Sequence, residues 1–253
     1  MEFTYRKIMK LHDQDIKKDK AHPFFTTSLK HLNVDIEIAS GSVENIPKDE
    51  AIVVVANHPF GIVDGLILNQ LMHDRRPEEY TILTNQVLLK AERMVPYLTP
   101  IDDTETPEGM AINKKSIFHA MRMLKNNEAV CVFPAGRLAR PRGWSEPFED
   151  LEWQELTSHF VTKVKSRATG KAPKIIPIFF EGENSGLFRL AALLGWFTIT
   201  RSLVINECRN KQNSAIQVHI GAPIEPEDVP EGLTPIEISA WMREQTLALG
   251  KKS

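Results

Sequence analysis

The chain has 253 residues, of which 42% are hydrophobic and 25% charged, a composition that excludes a disordered or fibrous protein and fits a folded one. A formal net charge of −2 gives no case for nucleic-acid binding, and only two cysteines, Cys131 and Cys208, exclude a disulfide framework and fit a reducing compartment. No uncharged apolar run is long enough to cross a bilayer, and the N-terminus lacks the apolar stretch and cleavage site of a signal peptide.

Residues 1–33 read as a helical segment rich in cations, with Arg6, Lys7, Lys10, Lys17, Lys18, Lys20 and Lys30. Such a segment is either a solvated face or a contact for an anionic membrane surface. Residues 34–253 read as one α/β domain, because no Pro/Gly/Ser-rich linker interrupts the alternation of strands and helices.

Residues 34–38 alternate as a first strand, and 51–56 form an apolar run with no polar face. A helix over 64–72, a strand over 81–84 and a short helix over 86–93 follow. Residues 94–111 look irregular. Ile117, Phe118, Met121 and Leu124 mark one face of a helix over 112–125. A second unbroken apolar run, 129–133, leads into a loop over 138–152 rich in Arg, Pro and acids. Helical spacing returns over 153–167, and the third apolar run is 174–180. Residues 187–199 are apolar nearly all round and read as either a buried core helix or an interfacial element flanked by Arg189 and Arg201, with Trp196 and Phe197 between them. Residues 202–207 and 215–220 read as strands, the second alternating and at an edge. Thr234, Pro235 and Glu237 start a last helix that Gly250 ends.

The three unbroken apolar runs are the pattern of strands buried on both faces, as in a mostly parallel twisted sheet with helices on both faces. Each ends in a turn with polar groups, and in such sheets ligands bind beyond the carboxyl ends of the strands. His58, Gly136 and Gly182 are therefore expected at one sheet edge. Imidazole suits general-base work near neutral pH, and Asp64 is close enough in sequence to fix its tautomer if the turn folds back. The bland alternative makes His58 a turn residue and Asp64 a helix N-cap. Gly136 with Arg137, Arg140 and Arg142 offers backbone N–H groups and guanidinium donors to a phosphate or carboxylate, or else is a solvated basic loop. Glu181 and Asn184 supply hydrogen-bonding groups at the third turn. The histidines show no metal-ligand spacing, and neither a Gly-x-Ser-x-Gly elbow nor a phosphate-loop lysine motif is present.

These segments together resemble the glycerolipid and lysophospholipid acyltransferase family, in particular a bacterial branch of the hemolysin-like or ornithine-lipid type. The family hallmark, Asn-His, four residues, then Asp, is similar to Asn57-His58 and Asp64, where five residues intervene. A third family block, Phe-Pro-Glu-Gly-Thr-Arg, resembles Phe133-Pro134-Ala135-Gly136-Arg137, without the Glu and with the Arg one position early. The fourth block, an apolar strand holding a proline, resembles Ile176-Pro177-Ile178. Acids, Asp102 and Asp103, stand where the second block carries arginine. The resemblance spans about residues 50–222. It implies a peripheral membrane enzyme of phospholipid or lipid metabolism at the cytoplasmic face of the inner membrane. His58 and Asp64 would be catalytic, and Asn57, Gly61, Gly136, Arg137, Arg140, Glu181 and Asn184 would bind substrate. N–H groups near Gly61 or Gly136 would hold the oxyanion. The acceptor would be a lysolipid and the donor an acyl thioester, acyl-CoA or acyl carrier protein, with no metal or other cofactor and no nucleic acid. A non-catalytic lipid-binding module and an acyl-thioester or lipid hydrolase are the alternatives.

Overall fold

The computed structural model describes residues 23–90, 92–104 and 106–251. The basic residues 1–22 of the expected N-terminal segment lie outside them. The first described helix, α1 (Phe24–Leu32), is closed by Asn33 in the left-handed conformation, followed by β1 (Val34–Gly41). Then come β2 (Ile52–Ala56), α2 (Ile62–Arg75), β3 (Tyr80–Asn85), β4 (Leu98–Ile101), α3 (Pro107–Lys125) and β5 (Ala129–Val132). A two-strand ladder, β6 (Arg140–Pro141) and β7 (Phe148–Glu149), precedes α4 (Leu156–Lys163) and β8 (Lys174–Phe180). The chain ends with α5 (Gly186–Leu193), α6 (Phe197–Asn210), β9 (Ser214–Ile220) and α7 (Pro235–Leu247).

Seven strands form one sheet in the order β1-β9-β8-β2-β5-β3-β4. Strands β8, β2, β5, β3 and β4 are parallel, while β9 runs antiparallel to β8 and parallel to β1. The mostly parallel sheet read from the sequence is thus present, with a reversed pair at one side. All five residues of β2 are fully buried, because it is central and covered on both faces. Helices α1 and α2 with α6 cover one face, and α3, α4 and α7 the other. The side chains of β2 divide accordingly: Ile52 and Val54 point into the first core and Val53 and Val55 into the second.

Four expectations need correction. Strand 215–220, expected at an edge, is β9 and pairs with β1 on one side and β8 on the other. Residues 202–207 are helical, inside α6, not a strand. Thr200, Leu203, Ile205, Glu207 and Cys208 are its buried residues, with 200, 203 and 207 at helical spacing, so packing overrides the β-branched composition. The apolar stretch 187–199 is two helices broken at Gly195, whose φ of +69° a residue with a side chain rarely adopts. The irregular 94–111 holds an edge strand, β4, and the first turn of α3, capped by Thr106 with Pro107 at its start. The last helix keeps its expected start: Glu237 accepts from the Thr234 N–H at 2.7 Å and from its hydroxyl at 2.6 Å.

Candidate active site

The parallel pairing of β2 with β5 and β8 brings the ends of all three strands to one edge. The turn after β2 is fastened there by Asn57, which is buried. Its amide donates to the Phe180 carbonyl at 2.9 Å and accepts from the Phe180 N–H at 2.7 Å, zipping the end of β2 to the end of β8. Asn184, also buried, donates to the Pro59 carbonyl at 2.8 Å. Both asparagines therefore shape the turn, while Asn184 Oδ1 is buried with no hydrogen-bond partner among the described residues.

His58 is held on every side. Its N–H donates to Asp150 Oδ1 at 2.9 Å, and its carbonyl accepts from the Ala139 N–H at 2.9 Å. Its ring stacks on Phe133 at 4.1 Å between centroids. Its Nδ1 lies 2.9 Å from Asp64 Oδ2, while the side chain keeps 19% exposure. The two atoms are in close contact, although the ring is not aligned for a hydrogen bond at that distance. Facing Nδ1 toward the carboxylate leaves Nε2 for chemistry.

Asp64 occupies the third position of α2, fully buried. Its Oδ2 accepts the N–H groups of Phe60 at 2.9 Å and Gly61 at 2.8 Å, and its Oδ1 has no hydrogen-bond partner among the described residues. Asp64 is not the N-cap of α2, a place that Gly61 takes; from N3 its carboxylate bonds back to the Gly61 N–H and also faces the imidazole. Gly61 makes the fold-back possible with φ +87°, and an added Cβ would sit 3.0 Å from Val204 and 3.1 Å from Leu138.

The Gly136 turn reaches His58 through the Ala139 hydrogen bond. Gly136 itself adopts φ +63° and donates its N–H to the Phe133 carbonyl at 2.9 Å. The N–H groups of Gly61 and Gly136 themselves are therefore already used. The neighbouring N–H groups of Arg137 and Leu138 have no partner among the described residues. Arg137 is exposed and makes no ion pair among them, whereas half-buried Arg140 lies in the β6–β7 ladder opposite Glu149 and is engaged within the protein. Glu181 turns toward β9, with Oε2 3.2 Å from Nε2 of buried His219. No group of three or more His, Cys, Asp or Glu among the described residues is placed to hold a metal.

Asp150 is the group that sequence reasoning missed. It is buried, and it takes the Trp153 Nε1–H at 3.0 Å besides the His58 N–H. Burial pushes its carboxyl up to about 6, against the lowering effect of those two hydrogen bonds. Lys211 was also missed. Its ammonium lies 4.3 Å over the Phe60 ring and donates to the Glu183 carbonyl at 2.9 Å, and burial lowers its pKa.

Beside this edge, α5 turns Phe188 and Ala191 inward and leaves Leu187, Leu190 and Leu194 exposed, so it is a half-buried helix. Trp196 and Ile199 continue the exposed apolar strip. The side chains of Phe197 and Arg201 lie outside the described residues. Arg189, expected at a membrane boundary, instead donates to the carbonyls of Trp144 at 3.1 Å and Glu146 at 2.5 Å and to Glu183 at 2.9 Å. It thereby ties exposed Trp144 beside α5. No described helix is long and apolar enough to cross a membrane.

The chain is similar to known lipid acyltransferases. The chain is 25% identical over 241 residues to a lyso-glycine lipid O-acyltransferase of Phocaeicola vulgatus, covering 91% of this chain and 79% of that protein. A lyso-glycine lipid O-acyltransferase of Bacteroides thetaiotaomicron is 22% identical, with 87% and 77% covered. The crystal structure of the 1-acyl-sn-glycerophosphate acyltransferase PlsC from Thermotoga maritima has the same fold. It superposes with a TM-score of 0.54 at 16% identity, covering 94% of this chain and 78% of that one. The acyltransferase family model matches residues 37–202, which include His58, Asp64 and the Gly136-Arg137 turn, and the chain belongs to the acyltransferase family.

Proposed function

We propose that this acyltransferase moves a fatty acyl group from an acyl thioester to a hydroxyl of a lysolipid, with His58 as general base and Asp64 as its carboxylate partner. The observation that carries this reading is the 2.9 Å approach of His58 Nδ1 to a fully buried carboxylate at the carboxyl edge of the sheet. His58 Nε2 takes the acceptor's hydroxyl proton as the oxygen attacks the thioester carbonyl. Asp64 stabilises the imidazolium that forms. The tetrahedral intermediate collapses, the C–S bond breaks, and the proton passes from Nε2 to the leaving thiolate. The N–H groups of Arg137 and Leu138 are the available donors for the oxyanion at this turn. The scheme uses no metal, no cofactor and no covalent enzyme intermediate.

Two relatives are named for a lyso-glycine lipid, and exposed Arg137 would offer bidentate donors to a free glycine carboxylate. A lysophospholipid phosphate suits the same guanidinium. The acceptor is a bilayer component, so the protein works as a peripheral membrane protein at the cytoplasmic surface. Leu187, Leu190, Leu194, Trp196 and Trp144 form its apolar contact. The deciding experiment incubates the protein with palmitoyl thioesters and a lysolipid panel and identifies products by mass. Diacylated product from wild type and none from folded His58→Ala is the expected result. Free fatty acid as the sole product would make the protein a hydrolase, and a fully active His58→Ala would remove His58 from the chemistry.

A further inference from the structure

The helix α3 is amphipathic twice over. Ser116, Ala120, Met123 and Leu124 are buried against the sheet. A second stripe, Met110, Ile117, Phe118 and Met121, with Asn113 and Lys114 lines a shallow groove of about 420 Å³, in which Met110 and Phe118 face outward while half-buried Ile117 and Met121 also pack against the core. Met110 is 59% and Phe118 61% exposed, on a helix that needs neither for its own core. The spacing of the stripe is that of a seam for a partner helix, and methionine is a side chain that adapts to such partners. Charge frames it: α3 carries Lys114, Lys115, Arg122 and Lys125 against Glu108, four cations less one acid, in a chain of net charge −2. Lys114 and Lys115 make no ion pair or hydrogen bond among the described residues.

From this we infer that the outer face of α3 docks an acidic, helical acyl carrier protein that presents the thioester to His58. The inference rests on the acyl-thioester reading above. Its placement fits: α3 starts just beyond the carboxyl end of β4, at the edge that carries His58. Strand β4 is three positions from β2, about 14 Å across the sheet. A bilayer is the poorer occupant. The α5 strip packs with α6, which covers the face of the sheet opposite α3. A nucleotide thioester has no apolar helix to lay along the stripe.

The test compares wild type with Lys114→Glu/Lys115→Glu and with Phe118→Ser. Donors are palmitoyl-CoA and a purified acidic acyl carrier protein bearing a palmitoyl thioester. Binding of the fluorescently labelled carrier is followed separately by anisotropy. Expected are at least a tenfold rise in KM for the carrier donor, kcat/KM with palmitoyl-CoA within twofold of wild type, and salt-sensitive anisotropy that both variants weaken. Equal losses with both donors, or no loss with the carrier, overturn the proposal. So does a variant that loses vesicle binding instead, or one that changes the mass seen by light scattering, which would assign the stripe to a membrane or a second copy. Were wild type to use neither donor, the acyl-transfer reading would fall, and the anisotropy series would still decide the docking surface.

Discussion

Asp64→Asn isolates the electrostatic part of the proposed mechanism. Asp64→Ala would not, because it strands the buried N–H groups of Phe60 and Gly61, at about 1–3 kcal/mol each. Asparagine keeps one oxygen for those donors, so the turn and the start of α2 survive. What it loses is the negative charge facing the imidazolium. Two unit charges about 4 Å apart interact by about 4 kcal/mol at an effective dielectric of 20. That is about a thousandfold in rate. The charge on His58 develops only in the transition state, so kcat falls while KM for both substrates holds. The assay is steady-state product formation by mass, with thermal melting to show that the variant is folded. A folded Asp64→Asn enzyme within tenfold of wild-type kcat would refute the claim that Asp64 stabilises the imidazolium.

Asp150→Asn tests the clamp on the main chain of His58. The unfolded carboxyl loses its proton near pH 4 and the folded one near pH 6, so this group's stabilisation is complete below pH 4 and is lost as pH rises through 6. Wild type should gain on the order of 3 kcal/mol relative to Asp150→Asn between pH 7.5 and 4 in urea melts; a constant difference would show that Asp150 does not titrate there. Gly182→Ala places a Cβ 2.8 Å from Phe60 Cζ at a φ of +120°. It should cost about 1–3 kcal/mol and lower kcat, since the Phe60 N–H holds Asp64; an unchanged melt and kcat would place Phe60 outside the site's support. Arg137→Ala should raise KM for acidic lysolipids more than it lowers kcat, and unchanged kinetics across such acceptors would return Arg137 to a solvated loop. Trp196→Glu should weaken retention on anionic vesicles at low salt in a sedimentation assay, and full retention would remove the α5 strip from the membrane contact.

The parts of the fold legible in the sequence are those where burial acts on consecutive residues. Ile52–Ala56 has no polar face because it has no solvent face, so the three strands that build the site announced themselves. Elements whose identity depends on distant partners did not. The run 202–207 has strand-like composition, and only its packing against the rest of the protein makes it helical. Strand β4 contains Pro100, tolerable at the sheet edge, and so reads as a loop. Within the site, His58 and Asp64 were legible because six positions and one glycine bring them together. Asp150 was not, because it lies 92 positions from His58 in a stretch of mixed charges that looks solvated. Asn57, Glu181 and Asn184 show the converse: polar residues at a strand end suggested substrate contacts, and the structure spends them on Phe180, His219 and Pro59.

The way His58 is held has a consequence for the timing of synthesis. The residues of the base and its carboxylate are complete once position 64 has left the ribosome. The groups that fix them arrive later, with Phe133 and Ala139, then Asp150, and finally Phe180 and Asn184. A nascent chain therefore carries the pair for more than a hundred residues without the frame that orients it. With its supports dispersed along the chain, the orientation of His58 is complete only once the central strands β2, β5 and β8 have assembled.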